Sequence, residues 1–413
     1  MAAAASLVTA RAPVSGRASV CFVAPNAYPA LSGREDVAHV GGAERQQVLL
    51  GKELVQRGYR VSFVVLDHGQ PDGEEIHGIR VFTCYRVDRG MRGLRFFHPR
   101  LTGLWNAMKR ADADVYYQRG AESETGLVGR WCRLHARAFI FSFANEMTCT
   151  LLSPFPAASR SERWLFRYGL NRADAIVAQT SRQQRILSEA FGLSSTVIRS
   201  CCPWAPEVEP GTQPPTHDEA PGPILWAGRL SEEKRPEWII RLATDLPEYR
   251  FDVVGQYNIA STYGRALAAR IQSVANIRWH GYLPHSQMKA LYRQCRLLLC
   301  TSESEGFPNV FLEAWACGKP VLTSVDPDDV VTTHQLGQVE TDYAAMKRRL
   351  ASLQSESAMW QAAGQRGQGY IHDHHSTTVA LNALEGVIHQ CHESVRVRRF
   401  DADIVSGPSC SAN

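Results

Sequence analysis

Short apolar runs, each bounded by turn residues and each followed by a stretch of helical spacing, recur from Ser19 to Thr323. They predict strands at about 19–24, 61–66, 79–83, 114–117, 138–142, 175–178 and 196–198, then at about 223–227, 251–254, 277–280, 297–301 and 320–323. Buried strands alternating with helices make parallel sheets covered on both faces, an α/β fold. The alternation breaks once, where Pro203, Pro206, Pro210, Pro214, Pro215, Pro221 and Pro223 crowd together. Proline fixes φ and lacks an N–H, so this density excludes regular structure and marks a linker over 203–222. Two α/β domains follow, 17–202 and 223–375, with a last helix over about 376–397. Residues 1–16 read as a disordered leader, without the basic start and apolar core of a signal peptide, and 398–413 as a disordered tail.

Three loops carry the chemistry. The first runs from Glu305-Gly306-Phe307-Pro308-Asn309-Val310-Phe311-Leu312-Glu313 into Gly318-Lys319-Pro320. Two glutamates flank a tight loop, and an apolar helix opens at about Asn309. Proline suits a helix start, and the amides of Asn309, Val310 and Phe311 face the loop, where an anion is favoured. The carboxylates would repel a phosphate and instead suit neutral hydroxyls, so the pattern reads as a cradle for a nucleotide sugar. The second loop, Gly228-Arg229-Leu230-Ser231-Glu232-Glu233-Lys234, follows the strand at 223–227. Its Arg supplies a planar fork and its Lys a mobile point charge for phosphate oxygens. The third, Gly41-Gly42-Ala43-Glu44, opens a helix running to about Arg57, and two glycines permit close backbone approach to a phosphate or sugar.

The first loop resembles the E-x7-E signature of the retaining glycosyltransferases of family 4, and the second their G-R-L-x-x-x-K clamp. The resemblance implies the GT-B fold: two Rossmann-like domains facing each other across a cleft, with a C-terminal helix crossing back to the first. It also implies roles by position. Glu305 approaches the donor sugar, Glu313 holds the ribose, and Gly306, Phe307, Asn309 and Val310 lie along the diphosphate by their amides. Arg229 and Lys234 clamp that diphosphate, and Gly42 reaches towards it. Gly255 sits near the nucleoside, and the His280-Gly281-Tyr282-Leu283 loop holds the base with Tyr282 beside the ring.

The reaction so implied moves a sugar from a nucleoside diphosphate to an acceptor hydroxyl on a glycan or lipid-linked glycan. It needs no protein nucleophile, no metal and no cofactor beyond the donor. On the acceptor side the chain departs from the family, with no His where Phe143-Ala144-Asn145-Glu146 stands; Asn145, Glu146 and Arg119 are the candidates there. The alternatives are an inactive GT-B partner that binds nucleotide or lipid, or a sugar-nucleotide epimerase. Asp112-Ala113-Asp114 spells a D-x-D metal motif but precedes its strand, at the wrong edge of the sheet.

Charge divides unevenly. Residues 1–200 hold 26 Lys+Arg against 17 Asp+Glu, and residues 201–413 hold 19 against 24, so a basic half precedes an acidic one. The densest patch, residues 86–110, interleaves Arg86, Arg89, Arg92, Arg95 and Arg100 with Met91, Leu94, Phe96 and Phe97. It reads either as a segment pressing on anionic lipid or as a solvated basic face. No nucleic-acid-binding module is present. Eleven cysteines without a C-x-x-C pair fit reduced thiols. The expected setting is the cytoplasm, peripheral at the inner face of the membrane.

Overall fold

The structure, a computed structural model, describes residues 16–34, 41–91, 93–120, 122, 124–204, 222–257 and 261–405, with side chains to 398. The expected leader to residue 15, the linker from 205 to 221, the tail from 406 and Arg92 lie outside the described residues. The chain divides into two compact units. The first takes residues up to Gln179, Gln183–Ile198 and everything from Ala380; the second takes Thr180–Arg182 and Arg199–Val379.

In the first unit, β1 (Val20–Val23), β2 (Val61–Val65), β3 (Glu75–Ile76), β4 (Ile79–Thr83), β5 (Val115–Arg119), β6 (Ala138–Ser142), β7 (Ala175–Ala178) and β8 (Thr196–Val197) form one sheet. Its order is β3-β4-β2-β1-β5-β6-β7-β8, parallel except for β3. That strand is absent from the sequence expectation, being two residues long. It forms because His77 and Gly78 both take positive φ, +53° and +76°, the mirror-image turn that matches strand twist. Gly58, at φ +82°, ends the helix Gly42–Gln56, close to the expected end near Arg57.

The last helix spans Thr377–Val405, past the expected end near 397. Leu381, Leu384, Ile388, Cys391 and Val395 are buried at three- and four-residue spacing, which gives it one apolar stripe. Glu385 fixes it on the first unit by accepting from Arg17 at 3.0 Å and pairing with Arg57.

The second unit is a parallel sheet of β9 (Ile224–Ala227), β10 (Phe251–Val254), β11 (Ile277–Gly281), β12 (Leu297–Cys300), β13 (Val321–Thr323) and β14 (Gly337–Val339), in the order β11-β10-β9-β12-β13-β14. In such a sheet the strand order reverses beside the first strand, and ligands bind outside the carboxyl ends at that point. Here the reversal lies between β9 and β12. β14 is the strand sequence reading missed, and Gly337 is required in it because a Cβ would stand 2.0 Å from the Val321 carbonyl oxygen. Cys202 and Trp204 pack in this unit's core, so the chain joins it before residue 203 rather than after.

Candidate functional site

Strands β9 and β12 are neighbours in the sheet, and the two loops that leave their carboxyl ends are stitched together. Thr301 is the hinge pin: its Oγ1 donates to the Lys234 carbonyl at 2.6 Å and accepts from Trp226 Nε1 at 3.1 Å. Arg235 takes a left-handed φ of +46° and turns its guanidinium back. Its Nε donates to the Thr301 carbonyl at 2.8 Å, a terminal nitrogen donates to the Ser302 carbonyl at 2.9 Å, and the group lies 4.3 Å above the Trp238 ring. The Glu303 amide donates to the Glu233 carbonyl at 2.8 Å.

These bonds bring Lys234 and Glu305 into contact as an ion pair, with less than a fifth of either side chain exposed. Ser302 Oγ donates to the same carboxylate oxygen at 2.7 Å. Arg229 lies apart from this pair: its side chain is 79% exposed, and a guanidinium nitrogen stands 3.4 Å from Glu233. Glu233 is itself held below the usual carboxylate range. Burial opposes this, but the Ser231 hydroxyl and the charges of Arg229 and Lys234 prevail. Arg235 was not singled out in the sequence. Its signal was a third cation beside Pro236, indistinguishable there from a solvated one.

Glu313 lies in the helix Asn309–Ala316 and is buried, one carboxylate oxygen 3.0 Å from His285 Nε2. The His285 ring stacks on Trp204 with centroids 5.0 Å apart. Beneath them the Tyr292 hydroxyl is pushed well above its ordinary pKa by burial, then by the charge of Glu313. His285 is a second residue that sequence reading missed, because nothing near it in the chain announces Glu313.

The amide of Phe311 is not available to a ligand as expected. It donates to the Pro308 carbonyl at 3.1 Å, a tight first turn, which leaves Asn309 and Val310 to open the helix. Gly306 is buried, and the Phe307 side chain enters the core between Trp315 (6.4 Å) and the ring of His375 (4.8 Å), so only its backbone faces the loop. His375 is 1% exposed; its Nδ1 bonds the Ser200 carbonyl at 2.7 Å, and burial lowers its pKa to about 3.

The floor beside β9 is built of glycine. Gly255, at φ +152°, has no room for a side chain, since a Cβ would sit 1.8 Å from the Gly228 carbonyl oxygen. Its amide donates to Gly281 at 2.8 Å, tying the half-buried Tyr282 and its loop to the same edge.

In the first unit, Gly42 is exposed at the start of its helix, and the Glu44 carboxylate fills the space where a Cβ on Gly41 would go, 2.4 Å away. Arg119 is buried at the end of β5. Asn145 spends its side-chain oxygen on a helix cap, accepting from the Thr148 amide at 2.8 Å and hydroxyl at 2.7 Å, with half-buried Glu146 next. Asp114 is occupied by Ser19, at 2.9 Å from its amide and 2.7 Å from its hydroxyl, and Asp112 by Arg137. Among the described residues no three His, Cys, Asp or Glu side chains gather as a metal site.

The second-unit site thus offers the enclosed cation of Lys234, the exposed one of Arg229, a helix N-terminus and two carboxylates that accept hydrogen bonds, all at the switch point of one sheet. The family model "Glycosyltransferase Family 4" matches residues 40–203, and "Glycosyl transferases group 1" matches residues 212–368. D-inositol 3-phosphate glycosyltransferase of Mycobacterium tuberculosis is 31% identical over 105 residues, 24% of this chain and 22% of that protein, so the matched stretch spans about a fifth of the curated relative. Sucrose-phosphate synthase of Thermosynechococcus elongatus superposes with a TM-score of 0.72 at 17% identity, covering 92% of this chain and all of that one. Anabaena HepE, solved in complex with UDP, superposes at 0.66 and 16% identity, covering 90% of this chain and 99% of that one. With both halves of the chain matched and the fold shared throughout, the chain belongs to the group 1 glycosyltransferases and has the GT-B fold.

Proposed function

We propose that the chain is a family-4 retaining enzyme that transfers a sugar from a nucleoside-diphosphate sugar to an acceptor hydroxyl, on a glycan or lipid-linked glycan of the cell envelope or an exopolysaccharide. The observation that carries this reading is the Lys234–Glu305 pair, assembled from two loops at the switch point beside the helix at Asn309. The donor diphosphate lies along the amides of Gly306, Phe307, Asn309 and Val310, with Lys234 and Arg229 taking its charge, and Glu313 accepts from the ribose hydroxyls. Gly255 and Tyr282 border the nucleoside, and Gly42, Arg119, Asn145 and Glu146 belong to the first unit's share of the work.

In the reaction the bond from the anomeric carbon to the diphosphate oxygen breaks and a bond to the acceptor oxygen forms on the same face. The acceptor proton passes to the leaving diphosphate. Charge grows on that diphosphate, so preorganised Lys234 and helix amides, joined by the exposed Arg229, lower the barrier, the term usually largest in catalysis. Glu305 orients the sugar hydroxyls and supports the positive anomeric centre, while its pairing with Lys234 holds both groups in place. No metal or protein nucleophile takes part.

The UDP bound by HepE supports a nucleotide in this site. The test is a melting-temperature screen of the purified protein against UDP, GDP, ADP and their sugar conjugates. A shift with one nucleotide family supports the donor site, because ligand that binds the folded state stabilises it. Nuclear magnetic resonance of the anomeric product then reads retention. No shift with any of them favours an inactive binding partner, and UDP release without any acceptor favours an epimerase.

A further inference from the structure

The first unit presents a cationic and apolar face remote in sequence from every donor-site residue. Its centre is the helix Arg160–Leu170. One side of that helix is locked inward: Phe166, Gly169 and Leu170 are buried, and a Cβ at Gly169 would stand 2.3 Å from the Thr125 carbonyl oxygen of the helix Thr125–Leu134. The opposite side therefore faces out, and by helical spacing it carries Arg160, Arg163, Trp164 and Arg167. Trp164 is 64% exposed, and its ring stands 5.2 Å from that of Tyr168, over which the Arg172 guanidinium lies at 3.4 Å. Between these side chains is an open concavity of about 450 Å³.

Two neighbouring segments extend the face. Arg167 Nε donates to the Leu152 carbonyl and Arg163 to the Pro156 carbonyl, each at 3.1 Å, which ties the segment carrying exposed Leu151 and Phe155 to this helix. Arg100 stands 3.7 Å from Glu124, at the start of the helix Thr125–Leu134, where a Cβ on Gly126 would meet the Leu165 carbonyl oxygen at 2.4 Å, so the loop before Arg100 ends near the same helix. That loop leaves Val87, Met91, Leu94 and Phe97 exposed. With Met147, these segments hold eight of the eleven exposed large apolar side chains among the described residues. The acids within them are engaged locally, Asp88 by Arg86 at 3.2 Å and Glu162 by the Ser159 amide at 2.8 Å.

We propose that this face is the docking surface of the protein on an anionic lipid bilayer. A soluble polyanion would call for the arginines alone. The exposed Trp, Phe, Leu and Met among them are what an interface of headgroups and acyl chains takes up, while the arginines meet the anionic surface. The sequence left residues 86–110 as either a lipid-facing segment or a solvated basic face; the proposal takes the first and joins to it the helix Arg160–Leu170 and the segment before it. The proposal goes beyond the donor-site reading and does not depend on it.

The test is co-sedimentation of the full chain with vesicles of phosphatidylcholine alone and of phosphatidylcholine with phosphatidylglycerol. Wild-type protein is expected to pellet with the anionic vesicles, not the neutral ones, and to be released by salt. Arg160→Gln is expected to weaken that partition about five-fold, and Trp164→Ser to weaken it at unchanged charge, both at wild-type melting temperature and with an unchanged melting shift on nucleotide. Failure of the wild type to bind anionic vesicles overturns the proposal, whatever nucleotide does. Full binding by Trp164→Ser, with loss only in Arg160→Gln and equal competition by soluble polyphosphate, also overturns it and assigns the face to a polyanion.

Discussion

His285 Nε2 lies 3.0 Å from a Glu313 carboxylate oxygen while its ring is stacked on Trp204. The imidazole is thus fixed on one side by an aromatic plane and on the other by the carboxylate that the proposed mechanism assigns to the ribose. His285 acts as a positioning residue. His285→Ala is expected to raise the donor KM roughly 10-fold, the loss of one hydrogen bond to a charged group, with kcat little changed. His285→Gln should recover part of that loss. Equal loss in both variants, or a fall in kcat alone, would count against the role.

Lys234 and Glu305 carry the opposite signature. Lys234→Ala removes charge stabilisation that matters as the diphosphate departs, so kcat is expected to fall about 100-fold or more. It also strands the half-enclosed Glu305 carboxylate without its cation, so the folded state should lose on the order of 1 kcal/mol. Glu305→Gln keeps the shape and should spare stability while lowering kcat. Steady-state kinetics beside urea unfolding separate the two effects; wild-type turnover in either variant would remove the pair from the mechanism.

Gly255 and Gly281 are both at positive φ, +152° and +67°, yet only Gly255 faces a backbone obstacle, the Gly228 carbonyl. Gly281→Ala is expected to cost about 1 kcal/mol, the ordinary penalty of a left-handed alanine. Gly255→Ala should cost about 3 kcal/mol or more, because two loops must also separate. Denaturant midpoints at a common slope would show the difference.

His375 makes stability sensitive to acid. Its folded pKa, about 3, lies below the ordinary 6.5, because burial disfavours the charged ring. A depressed value means the unfolded chain binds the proton more readily. The contribution is therefore complete above pH 6.5 and declines as pH falls from 6.5 towards 3. The slope is up to about 1.4 kcal/mol per pH unit. Unfolding of His375→Phe measured at mildly acidic pH values should show an acid limb flatter by that slope. An unchanged limb would mean other groups govern it.

Much of this was legible before the structure. Strands such as Val20–Val23 and Leu297–Cys300 are apolar without interruption, as strands covered on both faces must be. The glutamate loop and the Gly-Arg-Leu loop each announce themselves within a dozen residues. What escaped was whatever depends on contacts between distant segments. Arg235 looked like any loop cation until its bonds to Thr301 and Ser302 were seen. His285 acquired meaning only through Glu313, 28 residues on. The amide of Phe311 was assigned to a ligand because the turn that claims it for Pro308 has no signature of its own. β3 and β14 are too short for any periodicity to register.

The pairing of β9 with β12 has a consequence for how the protein comes into being. Lys234 and Glu305 are 71 residues apart and meet only once those two strands are side by side. A growing or partly melted chain can hold either loop in its local shape and still grip no nucleotide. In the proposed donor site, affinity therefore arrives late and all together, and a saturating donor penalises every opening that parts the two strands. In the cell, a starved enzyme would be the more exposed to proteolysis, and supply of its substrate would lengthen its lifetime.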